Sequence, residues 1–87
     1  MSNDKTIIYD VDDFRNYMIT ETLINVKNIL DEKGYNGLNQ IVGYLLNDDI
    51  TYISNYKNAR EKIQKVGRQE IIEVLLANYL KDVKWDI

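Results

Sequence analysis

The stretch Glu32-Lys33-Gly34-Tyr35-Asn36-Gly37-Leu38-Asn39-Gln40-Ile41-Val42-Gly43-Tyr44-Leu45-Leu46 ends one helix and begins another. Gly34 can take the left-handed conformation that closes a helix, and the Asn36 side chain can accept from the free backbone donors of the next one. Leu38, Ile41, Val42, Leu45 and Leu46 then fall on one helical face. Two helices joined by a tight, capped turn make an all-α reading the natural one.

Upstream of this junction, Ile19, Leu23, Val26 and Leu30 recur at spacings of four, three and four, with Met18, Thr22 and Ile29 beside them. That spacing predicts a long amphipathic helix from about Asp13 to Lys33, capped by Asp12 or Asp13 and stopped by Gly34. Downstream, Asn47-Asp48-Asp49 favours caps and turns, and a short turn follows at Thr51 to Ser54. Tyr56, Ala59, Ile63 and Val66 then mark the inner side of a basic helix that Gly67 interrupts. A last helix, about Arg68 to Asp82, is expected to turn Ile71, Ile72, Leu75, Leu76, Tyr79 and Leu80 inward. The expected organisation is a tail over residues 1–12, a helical domain of four to five short helices over 13–82, and a C-terminal extension over 83–87 containing Trp85.

Composition narrows the function. The chain has 87 residues, 45% of them hydrophobic, with seven Tyr and one Trp, enough apolar material for one small folded domain. A domain this short buries a modest share of its surface as a monomer, so a homodimer is expected. There is no Cys and no His, which removes disulfides, thiolate nucleophiles, the usual zinc sites and imidazole acid–base chemistry. Neither an enzyme, a cofactor nor a metal site is expected. No run approaches the roughly 18 apolar residues of a membrane span, and Met1-Ser2-Asn3-Asp4-Lys5 lacks the basic and apolar regions of a signal peptide. No membrane insertion is therefore expected, and the protein is placed in the cytoplasm.

Charge is unevenly distributed within a net of −3. Met1 to Asp13 sets Lys5 against Asp4, Asp10, Asp12 and Asp13, whereas Ser54 to Arg68 sets Lys57, Arg60, Lys62, Lys65 and Arg68 against Glu61 alone. Such runs often serve solubility, but an acidic tail and a basic helix in one chain can also meet each other or a partner. Arg60 lies at the centre of the basic face, with Lys57 before it and Lys65 and Arg68 beyond. Its planar fork suits a carboxylate or phosphate on a partner or on the tail, the alternative being an intramolecular pair with the neighbours of Glu61 or with the Asp48-Asp49 turn. Asp48-Asp49 itself reads as a turn and cap, since adjacent carboxylates without further spaced ligands seldom enclose a metal. Tyr35, Tyr44, Tyr52, Tyr56 and Tyr79 read as core and interface.

The opening stretch resembles the central segment of the IreB family of small regulatory phosphoproteins from Gram-positive bacteria, also called the ReoM family. Lys33-Gly34-Tyr35-Asn36 and Asn39 to Leu46 carry the resemblance, with Tyr52-Ile53, Tyr56, Ala59-Arg60, Ile63, Arg68, Glu70, Ile72-Glu73 and Tyr79-Leu80. It spans roughly Asp4 to Lys81. The resemblance implies a compact all-helical homodimer, phosphorylated near the N-terminus by a membrane Ser/Thr kinase and reset by its phosphatase. It also implies a non-enzymatic role: control of peptidoglycan precursor synthesis through Clp-dependent degradation of UDP-N-acetylglucosamine enolpyruvyl transferase. The expected partners are thus the kinase and a cell-wall precursor enzyme or protease adaptor. Thr6 in Asp4-Lys5-Thr6-Ile7-Ile8-Tyr9 aligns with the family phosphoacceptor, and Ser2 is an alternative. Lys57, Arg60, Lys65 and Arg68 are the candidate partner or phosphate-binding residues.

The chain departs from the family pattern in having no Pro. Gly37, Ile50 and Ser54 stand where the pattern has proline, which is expected to loosen the starts of those elements while leaving the fold unchanged. Ile8 replaces a basic residue, and Asn55 and Gln64 are polar within the basic segment. The competing reading is a small helical DNA-binding regulator, because short helices joined by tight turns resemble a helix-turn-helix. Overall acidity opposes it, and no nucleic-acid partner is expected.

Overall fold

The long apolar stripe predicted upstream of Gly34 does form one helix, and everything else is arranged against it. The computed structural model describes residues 11–81, with side chains from Phe14 onward. Helix α1 spans Val11–Glu32, α2 Gly37–Asn47, α3 Ala59–Ile63 and α4 Arg68–Lys81. Two single 3-10 turns, Ile50–Tyr52 and Tyr56–Asn58, link α2 to α3. Ile19, Val26 and Leu30 are completely buried on α1 and Ile29 nearly so, and α2, α3 and α4 each contact this helix. The core is completed by Ile41, Tyr44, Ile53, Ala59, Ile63, Ile71 and Val74. Among the described residues, no helix is long and apolar enough to cross a membrane.

The junction after α1 is built as its residues foretold. Gly34 has φ +99, its N–H donates to the Asp31 carbonyl at 2.9 Å, and the Tyr35 N–H donates to the Leu30 carbonyl at 3.0 Å. These two bonds satisfy carbonyls that the helix end leaves free, in the Schellman arrangement. Asn36 then accepts from the Asn39 N–H at 3.0 Å, capping α2. Asp48, at φ 53, closes α2 by donating its N–H to the Tyr44 carbonyl. Asp49 starts the first 3-10 turn by accepting from the Thr51 N–H and hydroxyl at 3.0 and 2.6 Å. The acidic pair is thus a cap on each side of one turn.

Three features differ from the sequence expectations. Helix α1 starts at Val11, two residues before Asp13. The basic segment is not one helix ending near Val66, because Lys57 and Asn58 both have left-handed backbone, φ 50 and 61, and divide it into a 3-10 turn and a five-residue helix. The inward faces of α2 and α4 are also narrower than expected. Helix α2 buries Ile41 and Tyr44 while Leu38, Val42 and Leu46 are exposed, and α4 buries Ile71 and Val74 while Ile72, Leu75, Leu76, Tyr79 and Leu80 are exposed. Both helices are apolar around more of their circumference than one neighbour can cover, so periodicity alone could not select the buried side.

Two of the positions expected to carry family prolines use the N–H that proline lacks. The Gly37 N–H donates to Asp31 Oδ1 at 2.9 Å. The Ser54 N–H donates to Gln40 Oε1 at 2.9 Å, while Gln40 Nε2 donates to Ser54 Oγ at 3.1 Å. Stiffness from a ring is replaced at these starts by hydrogen bonds to neighbouring helices. At Gly37 α2 also lies close against α1: a Cβ there would meet the Lys27 carbonyl oxygen at 2.8 Å and Asp31 Oδ1 at 2.9 Å.

Gly37→Ala is therefore expected to force α2 away from α1 and destabilise the fold by about 1–3 kcal/mol, measured as a lower midpoint in urea unfolding. A second expectation concerns acid. Asp31 is held below its ordinary value by the hydrogen bond from Lys27 and then by the Gly37 N–H, and Asp49 by the Thr51 hydroxyl and N–H. A depressed carboxylate contributes stability above its unfolded pKa and loses that contribution as pH falls through the folded value. Thermal midpoints should thus be flat above about pH 5 and fall below about pH 4, the ordinary carboxylate range. Asp31→Asn should reduce that fall.

Candidate functional site

The basic segment is brought to one region by α3 and the turns on either side of it, but its charges are largely engaged within the chain. Lys57 Nζ donates to Glu32 Oε2 at 2.9 Å, and the same carboxylate oxygen accepts from the Tyr56 hydroxyl at 3.4 Å. The Tyr56 ring has Lys33 Nζ 5.2 Å and Lys57 Nζ 5.4 Å from its centroid, within reach of cation–π attraction. Glu32 is lowered by the Lys57 hydrogen bond and charge, and Lys57 is raised by Glu32, so the pair is fully ionised near neutrality. Lys62 Nζ donates to the Lys57 carbonyl at 2.7 Å, bracing the left-handed Lys57-Asn58 backbone.

Arg60 is half-buried and donates from Nε to the Ile53 carbonyl at 2.6 Å. Ile53 itself is completely buried, so this bond satisfies an acceptor at the rim of the core. Arg68 reaches further. Its Nη1 donates to the Leu45 carbonyl, and its Nε lies 3.1 Å from Asp48 Oδ1. A residue that opens α4 thereby closes the C-terminal end of α2, where free carbonyls and the helix dipole favour a cation. Lys65 is exposed; its backbone N–H donates to the Lys62 carbonyl at 3.4 Å, while its ammonium makes no hydrogen bond or ion pair with the described residues.

Of the four basic candidates, Arg60 and Arg68 thus face structural acceptors and Lys57 faces Glu32. The Asp48-Asp49 turn does pair with an arginine, but with Arg68 in place of Arg60. Thr6 and Ser2 lie outside the described residues. Glu32 and Glu70 are not among the site residues expected from the sequence. Glu32 is 25 positions from Lys57, and no local pattern reveals such a pair. Glu70 carries a local signal: three residues after Gly67 at a helix start, it accepts from the Gly67 N–H at 3.3 Å, as in a capping box. Its other oxygen takes the Arg15 guanidinium at 2.8 Å, fastening α4 to α1. Among the described residues, no group of three His, Cys, Asp or Glu side chains is placed to hold a metal ion.

Known proteins agree with this chain over nearly all of its length. A "UPF0297 protein" of Acetivibrio thermocellus is 45% identical over 82 residues, covering 94% of this chain and 91% of that protein. A protein of the same description from Ruminiclostridium cellulolyticum is 43% identical, covering 94% and 93%. The model of the IreB regulatory phosphoprotein family matches residues 4–81, from the segment containing Thr6 to the end of α4. The chain belongs to the IreB family of regulatory phosphoproteins.

Proposed function

We propose that this protein is a non-enzymatic adaptor, phosphorylated on Thr6 by a membrane Ser/Thr kinase and reset by its phosphatase. It controls peptidoglycan precursor synthesis by setting how fast a Clp-type protease degrades UDP-N-acetylglucosamine enolpyruvyl transferase. The observation that carries this reading is the family match, which runs continuously through Thr6 and the whole helical domain. Phosphate would add about −1.5 to −2 charge to a segment that already holds four aspartates, changing how it meets a cationic surface. The absence of His and Cys agrees with an output made through binding.

The adaptor is a cytoplasmic homodimer in this reading, paired through the long first helix and α4. Ile72, Leu76 and Tyr79 are exposed along α4, an apolar set at helical spacing of the kind that a second copy would cover. The DNA-binding alternative is weakened by the internal engagement of Lys57, Arg60 and Arg68, cations it would need for phosphates. Within the basic segment, Lys65 is the residue best suited to a partner carboxylate or phosphate, with Arg60 and Arg68 holding the surface in shape.

Thr6→Ala should abolish labelling by the cognate kinase, whereas phosphate mapped by mass spectrometry to another residue on that variant would reject the assignment. The basic face divides by role. Arg60→Ala removes a charge-assisted bond to a core carbonyl and should destabilise the fold by about 1.5–3 kcal/mol. Lys65→Glu should change stability by no more than about 0.5 kcal/mol, yet weaken capture of the purified transferase. Capture unchanged by Lys65→Glu would make this segment a structural surface only.

A further inference from the structure

Helix α2 has no charged residue from Gly37 to Asn47, in a chain whose residues are 29% charged. Its inner side is occupied by Ile41 and Tyr44, but Leu38, Val42 and Leu46 are 58%, 43% and 78% exposed. Spaced four apart, these three form a single inclined ridge of about 12 Å along the helix. Gly43 lies next to Leu46 around the helix at about 100° per residue. Because Gly43 has no side chain, the Tyr52 ring lies against it: a Cβ there would be 2.7 Å from Tyr52 Cδ1. Tyr52 stays exposed and widens the ridge with an amphipathic ring. One exposed Leu means nothing, but an aligned, uncharged set edged by an aromatic has the composition of an interface core.

The end of the ridge supplies its polarity. Asp48 and Asp49 follow α2 directly and both are exposed, and the negative end of the helix dipole adds to them. No basic residue occupies the last turn of α2. Arg68 approaches from α4, but its ion pair leaves the Asp48 side chain 73% exposed. We propose that this ridge is a docking site for an amphipathic helix of a protein partner, whose apolar stripe seats on Leu38, Val42 and Leu46 and whose flanking Lys or Arg meets Asp48 and Asp49.

A helix is the occupant because a ridge of side chains four apart fits the groove between the ridges of another helix. Strand addition needs a free sheet edge, and the described residues contain no strand. A second copy is a poorer fit, since a stable dimer buries about 800 Å² on each partner and this ridge offers three aliphatic side chains and a ring. A contact this small is weak and reversible, which suits a regulator. The inference does not depend on which protein supplies the helix.

The test uses the full chain with a synthetic helical peptide of about 16 residues, leucines spaced i, i+4 and i+8, flanked by lysines; its companion carries glutamates in their place. In ¹H–¹⁵N titrations the lysine peptide should perturb amides of α2 and Tyr52 and bind at least tenfold more tightly than the glutamate peptide. Leu46→Lys and Val42→Lys, both at exposed positions, should weaken the lysine peptide about tenfold with helix content and sedimentation unchanged. Perturbations confined to α4, equal affinity for both peptides, or no loss in either variant would overturn the proposal. So would dissociation of an oligomer by Leu46→Lys, which would show that a second copy covers the ridge.

Discussion

The completely buried stripe of α1, Ile19, Val26 and Leu30, is the constraint on which the rest of the structure depends. The other three helices each contact α1, and each delivers only a few residues to it: Ile41 and Tyr44 from α2, Ala59 and Ile63 from α3, Ile71 and Val74 from α4. A core organised around one rod needs that rod to stay in register with its neighbours. The polar contacts around it do this locally. Asp31 holds the start of α2 through the Gly37 N–H, Glu32 holds the Lys57 turn, and Arg15 holds the start of α4 through Glu70. All three contacts are exposed ion pairs or single hydrogen bonds, each of modest worth. Their contribution is to fix which face each helix turns toward α1, while burial supplies the driving force.

That division explains what the sequence revealed. The α1–α2 junction was legible because its determinants are local: Gly34 must be left-handed, Asn36 must cap, and both act within five residues of where they stand. The extents of α2 and α4 and the C-terminal end of α1 were legible for the same reason. The buried side of α4 was not, because Val74 and Leu75 are equally apolar and only the position of α1 decides that Val74 goes in. The split of the basic segment was hidden as well. Asn58 is a residue type that tolerates left-handed backbone, but Lys57 is not, and its conformation is held by Glu32 and Lys62 from elsewhere. Phosphate-ready arginines in the sequence are donors to backbone carbonyls in the structure, through pairings seven and twenty-three positions apart.

The absence of proline from this chain shows how one constraint can be met by different chemistry. Proline stiffens a helix start by restricting the unfolded chain and by fixing φ. At Gly37 and Ser54 the starts are held by N–H bonds to Asp31 and Gln40, which act only in the folded state. The Asp31 bond depends on a carboxylate and therefore on pH, as a proline would not. Ile50 has a different support, because Asp49 caps its turn from the preceding position.

Surface left over after folding is what a binding protein has to work with. Among the described residues it includes the exposed apolar side of α4, the uncharged ridge of α2, and the exposed cation Lys65 among arginines committed to the fold. A domain of 87 residues has little stability to spare. Partners that cover apolar surface therefore stabilise it by mass action as they bind. Such a protein can be regulated without a conformational switch of its own. If Thr6 is phosphorylated as proposed, about two added negative charges would change which charged surfaces the chain can approach, and the apolar surfaces would set how long an encounter lasts. In that proposal charge would govern the choice of partner and burial its retention, a separation open to a chain without His or Cys that works through helices alone.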